Sequence, residues 1–109
     1  MSWWVGVDLD GDGDEPVDDD HRNVTYNVSK LLRLVLPHKD GLWGYAGAPA
    51  SEAGGIFAKA AVELAALPTE VVAPLEPSNG WGSRTSAVED LRWLAEACAS
   101  APKGNVYVH

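Results

Sequence analysis

In two short stretches of the chain, residue types alternate with the period of two that a β-strand requires. In residues 3–8, Trp4, Gly6 and Asp8 alternate with a second set of three, Trp3, Val5 and Val7. In residues 105–109, Val106 and Val108 alternate with Tyr107, so the valines and the tyrosine would face opposite sides of a strand. An alternation of period two with many β-branched and aromatic residues predicts strands. A two-stranded ribbon is marginal in water, so we expect these strands to pair with each other beneath helices, with residues 24–26 as a third strand.

Apolar residues at helical spacing predict three helices, near 29–36, 52–67 and 86–100. The first is apolar on almost every side, so we expect it at the centre of the core, and Asn27 or Ser29 as its N-cap. The sequence predicts a further turn of helix within 69–75. The fold class that follows is α+β, with the paired terminal strands packed against about three helices.

The starts of the two longer helices carry capping signals. Ser51 precedes the second helix and is predicted to cap it. Ser86 and Glu89 have the spacing of a capping box, which predicts that the third helix begins there. With 109 residues and a hydrophobic fraction of 46%, the chain is predicted to form a single domain over 1–109.

The entire net charge of −8 lies in one acidic segment, residues 8–20. It holds seven aspartates, one glutamate and no lysine or arginine, whereas the rest of the chain has eight acids and eight bases. This charge argues against binding to nucleic acid or to an anionic membrane. One cysteine and no apolar run of the ~18 residues that span a bilayer indicate a cytoplasmic protein.

The acidic segment has the D-x-D-x-D-G start of a calcium-binding loop. The candidate ligands are Asp8, Asp10, Asp12, Asp14 and Asp19. The pattern departs from an EF-hand because its twelfth position is an aspartate, and because a strand rather than a helix leads into it. The interpretation favoured over calcium is an exposed, solvated loop, since runs of like charge are usually solvent-facing.

Residues 5–11 also offer a phosphoryl-transfer alternative. Val5-Gly6-Val7-Asp8-Leu9-Asp10-Gly11 resembles the first motif of haloacid-dehalogenase-type phosphatases. The resemblance implies Asp8 as nucleophile, Asp10 as general acid/base and a magnesium requirement. The motif stands without the parallel α/β sheet that normally carries it, so this alternative ranks below the calcium site.

The segment 23–29, Asn-Val-Thr-Tyr-Asn-Val-Ser, resembles the N-[VI]-T-Y-N-[YV]-S segment of a family of small uncharacterised bacteriophage and prophage proteins. In that family the segment opens an apolar helix, and a Trp-containing turn precedes a C-terminal helix, as in residues 79–82 here. The resemblance implies an accessory role in the host cytoplasm and no particular reaction.

Six residues are candidates for binding a ligand or partner. They are the polar stripe before the first helix and the loop residues around it, namely Asn23, Thr25, Asn27, Trp43, Trp81 and Arg84. Amides and hydroxyls can bind a polar ligand, loop tryptophans can anchor a partner, and an arginine can meet an anion. The structural interpretation is stronger for each: helix capping for the polar stripe, closure of the core for the tryptophans, and a surface position for the arginine.

These observations predict a non-enzymatic protein that needs no cofactor and binds a protein partner or a small ligand. If the ligand is small, the six residues should meet in one pocket. If the partner is a protein, exposed tryptophans are the expected anchors and the acidic segment steers the encounter. The calcium site remains the rival function.

Overall fold

Three strands and four α-helices make up the part of the chain that the computed structural model describes, residues 2–8, 21–76 and 82–109. The strands are β1 (Ser2–Asp8), β2 (His21–Thr25) and β3 (Asn105–Val108). The helices are α1 (Ser29–Val35), α2 (Ala50–Ala66), α3 (Thr69–Val72) and α4 (Arg84–Ser100). Three 3-10 helices, Tyr26–Val28, Gly41–Tyr45 and Ala73–Leu75, lie between them.

The strands form one antiparallel sheet in the order β2-β1-β3. Val5 lies opposite Arg22 on one side and Val108 on the other, so β1 is the central strand. The α+β prediction is confirmed, including the pairing of the first and last strands and the third strand near residue 24. The helix count exceeds the predicted three because the turn expected within 69–75 is α3.

Helices α2 and α4 form the largest packed pair of the domain. Their buried residues include Phe57 and Leu64 from α2, and Leu91 and Leu94 from α4. The predicted apolar stripes therefore do face the core. A Cβ built on Gly54 would lie 2.9 Å from the Cβ of Cys98, so the absence of a side chain at Gly54 allows the two helices to pack closely at this point.

The start of α2 differs from the prediction. The helix begins at Ala50, preceded by Pro49, and no serine side chain caps it. The Ala50 N–H instead donates to the Gly104 carbonyl at 2.9 Å, and Pro49 forms a bridge with Asn105. The prediction of Ser51 as N-cap was wrong because Gly104, the residue before β3, supplies an acceptor that only the tertiary structure brings there.

The start of α4 is also earlier than predicted. Ser83 is the N-cap: its hydroxyl accepts from the Ser86 N–H at 3.2 Å, and the Ser86 hydroxyl accepts from the Ser83 N–H at 2.8 Å. Ser86 thus takes the reciprocal role that a glutamate usually plays in a capping box. The predicted box starting at Ser86 was wrong by three residues, because a short hydroxyl satisfies the same two donors.

Helix α1 is shorter and more exposed than predicted. The Thr25 hydroxyl caps the 3-10 helix Tyr26–Val28 by accepting from the Asn27 N–H, and α1 follows directly with no side-chain cap of its own. The expectation that Asn27 or Ser29 caps α1 was therefore wrong. Leu31 and Leu32 are buried, whereas Leu34 is 45% exposed, so two turns of helix cannot bury every leucine.

The two adjacent glycines of α2 provide a matched test of this packing. Gly54→Ala should destabilise the fold by about 1 kcal/mol or more, because overpacking against Cys98 outweighs the gain in helix propensity. Gly55→Ala should stabilise it by about 0.5–1 kcal/mol, since no atom lies within 4 Å of the added methyl group. Urea denaturation measures both, and equal effects of the two substitutions would contradict the close approach.

Candidate functional site

The two faces of the sheet differ in what covers them. Residues directly opposite each other on antiparallel strands share a face. Val5, Val24, Val106 and Val108 lie on the inner face, and all four are buried against the helices. The outer face carries Trp4 on the central strand, and this face is where we find the candidate site.

On the inner face, Arg22 of β2 forms an ion pair with Asp90 of α4, with 2.6 Å between Nε and Oδ1. Asp90 is only 5% exposed. Loss of hydration raises the pKa of the Asp90 carboxyl above its ordinary value, and the hydrogen bond and charge of Arg22 oppose that rise without cancelling it. The pair attaches the edge strand β2 to the helical layer.

Removal of Arg22 should have a pH-dependent cost. Because burial raises the folded-state pKa of Asp90, stability falls as pH rises from the ordinary value of 3.8 through the raised folded value. Arg22→Met removes the hydrogen bond and the positive charge that oppose this rise in pKa. It should therefore lower the free energy of unfolding by about 1–2 kcal/mol at pH 7, and by clearly less near pH 4, where protonation of Asp90 is favoured. Urea denaturation at the two pH values measures the difference.

The double variant Arg22→Met/Asp90→Asn is the control, since it lacks the titrating carboxyl. Its stability relative to Asp90→Asn should be the same at both pH values. A cost of Arg22→Met that does not change with pH would show that the pair contributes through packing alone.

The exposed half of the outer face is an aromatic and polar surface centred on Trp4. Trp4 is 44% exposed and lies opposite Asn23, which is exposed as well. On its other side Trp4 exchanges two backbone hydrogen bonds of 2.9 Å with His109. We call Ser2, Trp4, Asn23, Thr25 and His109 the Trp4 surface.

Two polar side chains of the Trp4 surface, Asn23 and Thr25, are held in place by hydrogen bonds. The Asn23 amide nitrogen donates to the Ser2 hydroxyl at 2.7 Å and to the Trp3 carbonyl at 3.3 Å. The Thr25 hydroxyl accepts from the Asn27 N–H at 3.3 Å. Within the described residues, no bond involves the Asn23 side-chain oxygen or the Thr25 hydroxyl as donor. These two side chains thus offer one acceptor and one donor beside the exposed indole of Trp4.

The other half of the outer face is buried. Tyr107 is 4% exposed, lies opposite Gly6, and has its hydroxyl 2.9 Å from Nδ1 of His109. Asp8 ends β1 opposite Asn105 and is 7% exposed. The acidic segment was expected to be exposed from its first residue. That expectation is wrong for Asp8, because strand pairing with β3 continues through it.

The other predicted binding residues lie on different elements. Asn27 is exposed in the 3-10 helix that follows β2. Trp43 is 50% exposed in the 3-10 helix Gly41–Tyr45, whose residues Leu42 and Tyr45 are buried. No hydrogen bond or ring contact between described residues joins Trp43 to Asn23 or Thr25. Trp81 lies outside the described residues.

Arg84 is on the helical side of the sheet, away from the Trp4 surface. Its guanidinium donates to the carbonyl of Leu67 at 2.7 Å and to that of Ala65 at 3.4 Å, at the C-terminal end of α2. A surface cavity of about 270 Å³ lies beside it, between Ala65 and the side chains of Val88 and Arg92. The structure therefore separates Arg84 from Asn23 and Thr25, and uses it to cap a helix end.

Arg84 and Arg92 allow this structural role to be tested with a matched pair. Arg84→Met should lower the free energy of unfolding by about 1–2 kcal/mol, because it removes charged hydrogen bonds to the end of α2. Arg92→Met should change it by less than about 0.5 kcal/mol, since Arg92 makes no hydrogen bond or ion pair to the rest of the described chain. Thermal or urea unfolding measures both. A larger loss of unfolding free energy for Arg92→Met than for Arg84→Met would contradict the structural role of Arg84.

The candidate metal ligands cannot be placed as a group. Asp8 is the end of β1, and Asp10, Asp12, Asp14 and Asp19 lie outside the described residues. Across residues 2–8, 21–76 and 82–109, no three histidine, cysteine, aspartate or glutamate side chains are grouped so that they could hold a metal ion. The calcium alternative, like the phosphatase alternative, stays a prediction.

In the described part of the chain, no helix has both the length and the apolar character needed to cross a bilayer. Comparisons with protein-family models, with curated proteins and with solved structures find no match to this chain. The resemblance to phage proteins at residues 23–29 therefore stays a prediction as well.

Sequence reasoning included Asn23 and Thr25 among the binding candidates but missed Trp4 and His109. A signal for Trp4 was present, because the alternation in residues 3–8 sets Trp4 apart from the more apolar face of Trp3, Val5 and Val7. Nothing in the local pattern of residues 105–109 identified His109. Its place beside Trp4 comes from the pairing of β1 with the end of the chain.

Proposed function

We propose that this chain is a non-enzymatic binding protein of the small phage accessory kind, and that it recognises a basic protein partner through the Trp4 surface. The observation that carries the proposal is the 44% exposure of a tryptophan on the central strand of the sheet. The inner face buries its apolar side chains against the helices, whereas a large part of the Trp4 side chain on the opposite face is in contact with solvent. A large exposed apolar side chain of this kind is typical of a binding surface.

Tryptophan is well suited to anchor such a contact. Its ring buries a large apolar area for little loss of side-chain entropy, and tryptophans are enriched among the residues that dominate binding energy. Around Trp4, the Asn23 amide and the Thr25 hydroxyl retain hydrogen-bonding capacity. An apolar centre with a polar rim is the usual composition of a protein interface.

The charge of the chain indicates the character of the partner. All of the net charge of −8 comes from the acidic segment, which is joined directly to the ends of β1 and β2. These two strands carry Trp4 and Asn23. A concentrated negative charge accelerates the encounter with a positively charged protein and disfavours an acidic one.

The use of the polar side chains favours binding over catalysis. Asn23 ties β2 to Ser2, and Thr25 caps the following turn. Both are organising the end of the sheet rather than activating a nucleophile, which would require a base oriented toward it. The separation of Arg84 from this surface favours a protein partner over a small molecule bound by all six candidates.

The test is affinity capture from bacterial lysate with three immobilised proteins: wild type, Trp4→Ala and Trp43→Ala. Trp43 is similarly exposed, at 50%, but lies on another element, so it is the matched control. A partner that uses the Trp4 surface should be retained by wild type and by Trp43→Ala, and released by moderate salt. Trp4→Ala should weaken its binding at least about tenfold.

Thermal unfolding of each variant shows that the fold is intact. Retention of the same proteins by Trp4→Ala, or retention of none by wild type, would contradict the proposal. Binding that resists salt would contradict the part assigned to charge.

A further inference from the structure

The sheet has two edges, and they are not equally covered. Along β3, the Gly47 N–H donates to the Val106 carbonyl at 2.8 Å, and the Val106 N–H donates to the Ala48 carbonyl at 2.7 Å. Pro49 also bridges to Asn105. The segment that leads into α2 thus lies against this edge. Within the described residues, β2 pairs with β1 alone.

The direction of the backbone groups of β2 follows from the pairing of β1. Trp4 exchanges both of its hydrogen bonds with His109, so its N–H and carbonyl point toward β3. The backbone N–H and carbonyl groups of neighbouring residues in a strand point to opposite sides. Trp3 and Val5 therefore direct theirs toward β2, where they lie opposite Val24 and Arg22. Asn23 therefore directs its own N–H and carbonyl outward, away from the sheet.

The outward N–H and carbonyl of Asn23, and the N–H of Thr25 two residues further on, form an open edge. No described residue hydrogen bonds to the Asn23 backbone. Such an edge is a template for another strand, and proteins usually protect it with proline, with lysine or with a covering segment. The strand β2, His-Arg-Asn-Val-Thr, contains neither proline nor lysine. Its inward-pointing charge, Arg22, is already neutralised by the ion pair with Asp90 and leaves the outward N–H and carbonyl of Asn23 uncovered by any described residue.

We propose that the outer edge of β2 accepts one extended strand of the basic partner, so that the sheet grows from three strands to four. This rests on the proposed function and specifies how the partner binds. The added strand runs antiparallel to β2, as every pair in this sheet does. It carries lysine or arginine after its paired residues, because that end lies beside His21, where the acidic segment joins β2.

Charge decides between a partner strand and a second copy of this chain. Two copies paired through β2 would each bring a net charge of −8, and like charges oppose their association. A basic strand gains from the same field. It also continues the Trp4 surface, since its outward side chains would neighbour Asn23, which lies directly opposite Trp4.

The experiment compares two substitutions at one position. Asn23→Ala removes the side-chain hydrogen bond to Ser2 and keeps the backbone N–H, whereas Asn23→Pro removes both. Proline is tolerated on an edge strand where its missing N–H faces outward. Val24→Pro is the contrasting control: it removes an N–H directed at β1 and should prevent folding.

The probe is a short synthetic peptide of alternating threonine and valine followed by lysines, with its ends acetylated and amidated. It is titrated into ¹⁵N-labelled protein at low salt. Amide signals of Asn23 and Thr25 should shift, and their hydrogen exchange should slow in the unsubstituted protein, which is a readout independent of any variant. Asn23→Pro should bind at least about tenfold more weakly than Asn23→Ala. A peptide ending in glutamates should not bind.

Several outcomes would overturn the inference. Equal peptide affinity of Asn23→Pro and Asn23→Ala, or shifts that avoid β2, would exclude strand addition at this edge. Changes at the same amides that grow with protein concentration alone would assign the edge to a second copy.

The two proposals fail separately when the captured partner is tested with all variants. Loss of the partner with Trp4→Ala but equal retention by the two Asn23 variants would reject the edge and leave the Trp4 surface standing. Loss with Asn23→Pro alone would support the edge and reject the Trp4 surface as the anchor.

Discussion

The central position of β1 is the constraint on which the rest of the structure depends. Because β1 bonds to β2 through Trp3 and Val5 and to β3 through Trp4, its backbone groups are used on both sides. The same alternation sends Val5 into the core and Trp4 to the opposite face. One strand thus determines which tryptophan supports the fold and which one faces outward, and it brings the two ends of the chain together.

The helical layer explains why the sheet can be so small. The close approach of α2 and α4 at Gly54 and Cys98 makes a tightly packed pair that covers the inner face. Burial raises the pKa of the Cys98 thiol to about 11, so this cysteine is neutral at physiological pH and acts as a packing residue. Arg22 attaches the edge strand to α4, so β2 keeps its position although, among the described strands, it pairs with β1 alone.

The sequence predicts those parts of the fold that local periodicity controls. Strand alternation located β1 and β3, and the apolar stripes located α2 and α4. The helix starts were less predictable, since the N–H of Ala50 is satisfied by Gly104, a residue distant in the chain. For the site, alternation separated Trp4 from Trp3 and Val5. Which face the helices cover, and that His109 lies beside Trp4, depends on packing that no local pattern encodes.

The division of charge in this chain has a physical consequence for the open edge. An exposed edge strand normally promotes self-association, and β2 carries the inward-pointing Arg22, paired with Asp90, in place of a proline or lysine. A negative charge concentrated in the segment that enters β2 opposes pairing between copies while it favours a positively charged strand. Under the proposed function, the same charge therefore opposes self-association and selects a basic strand.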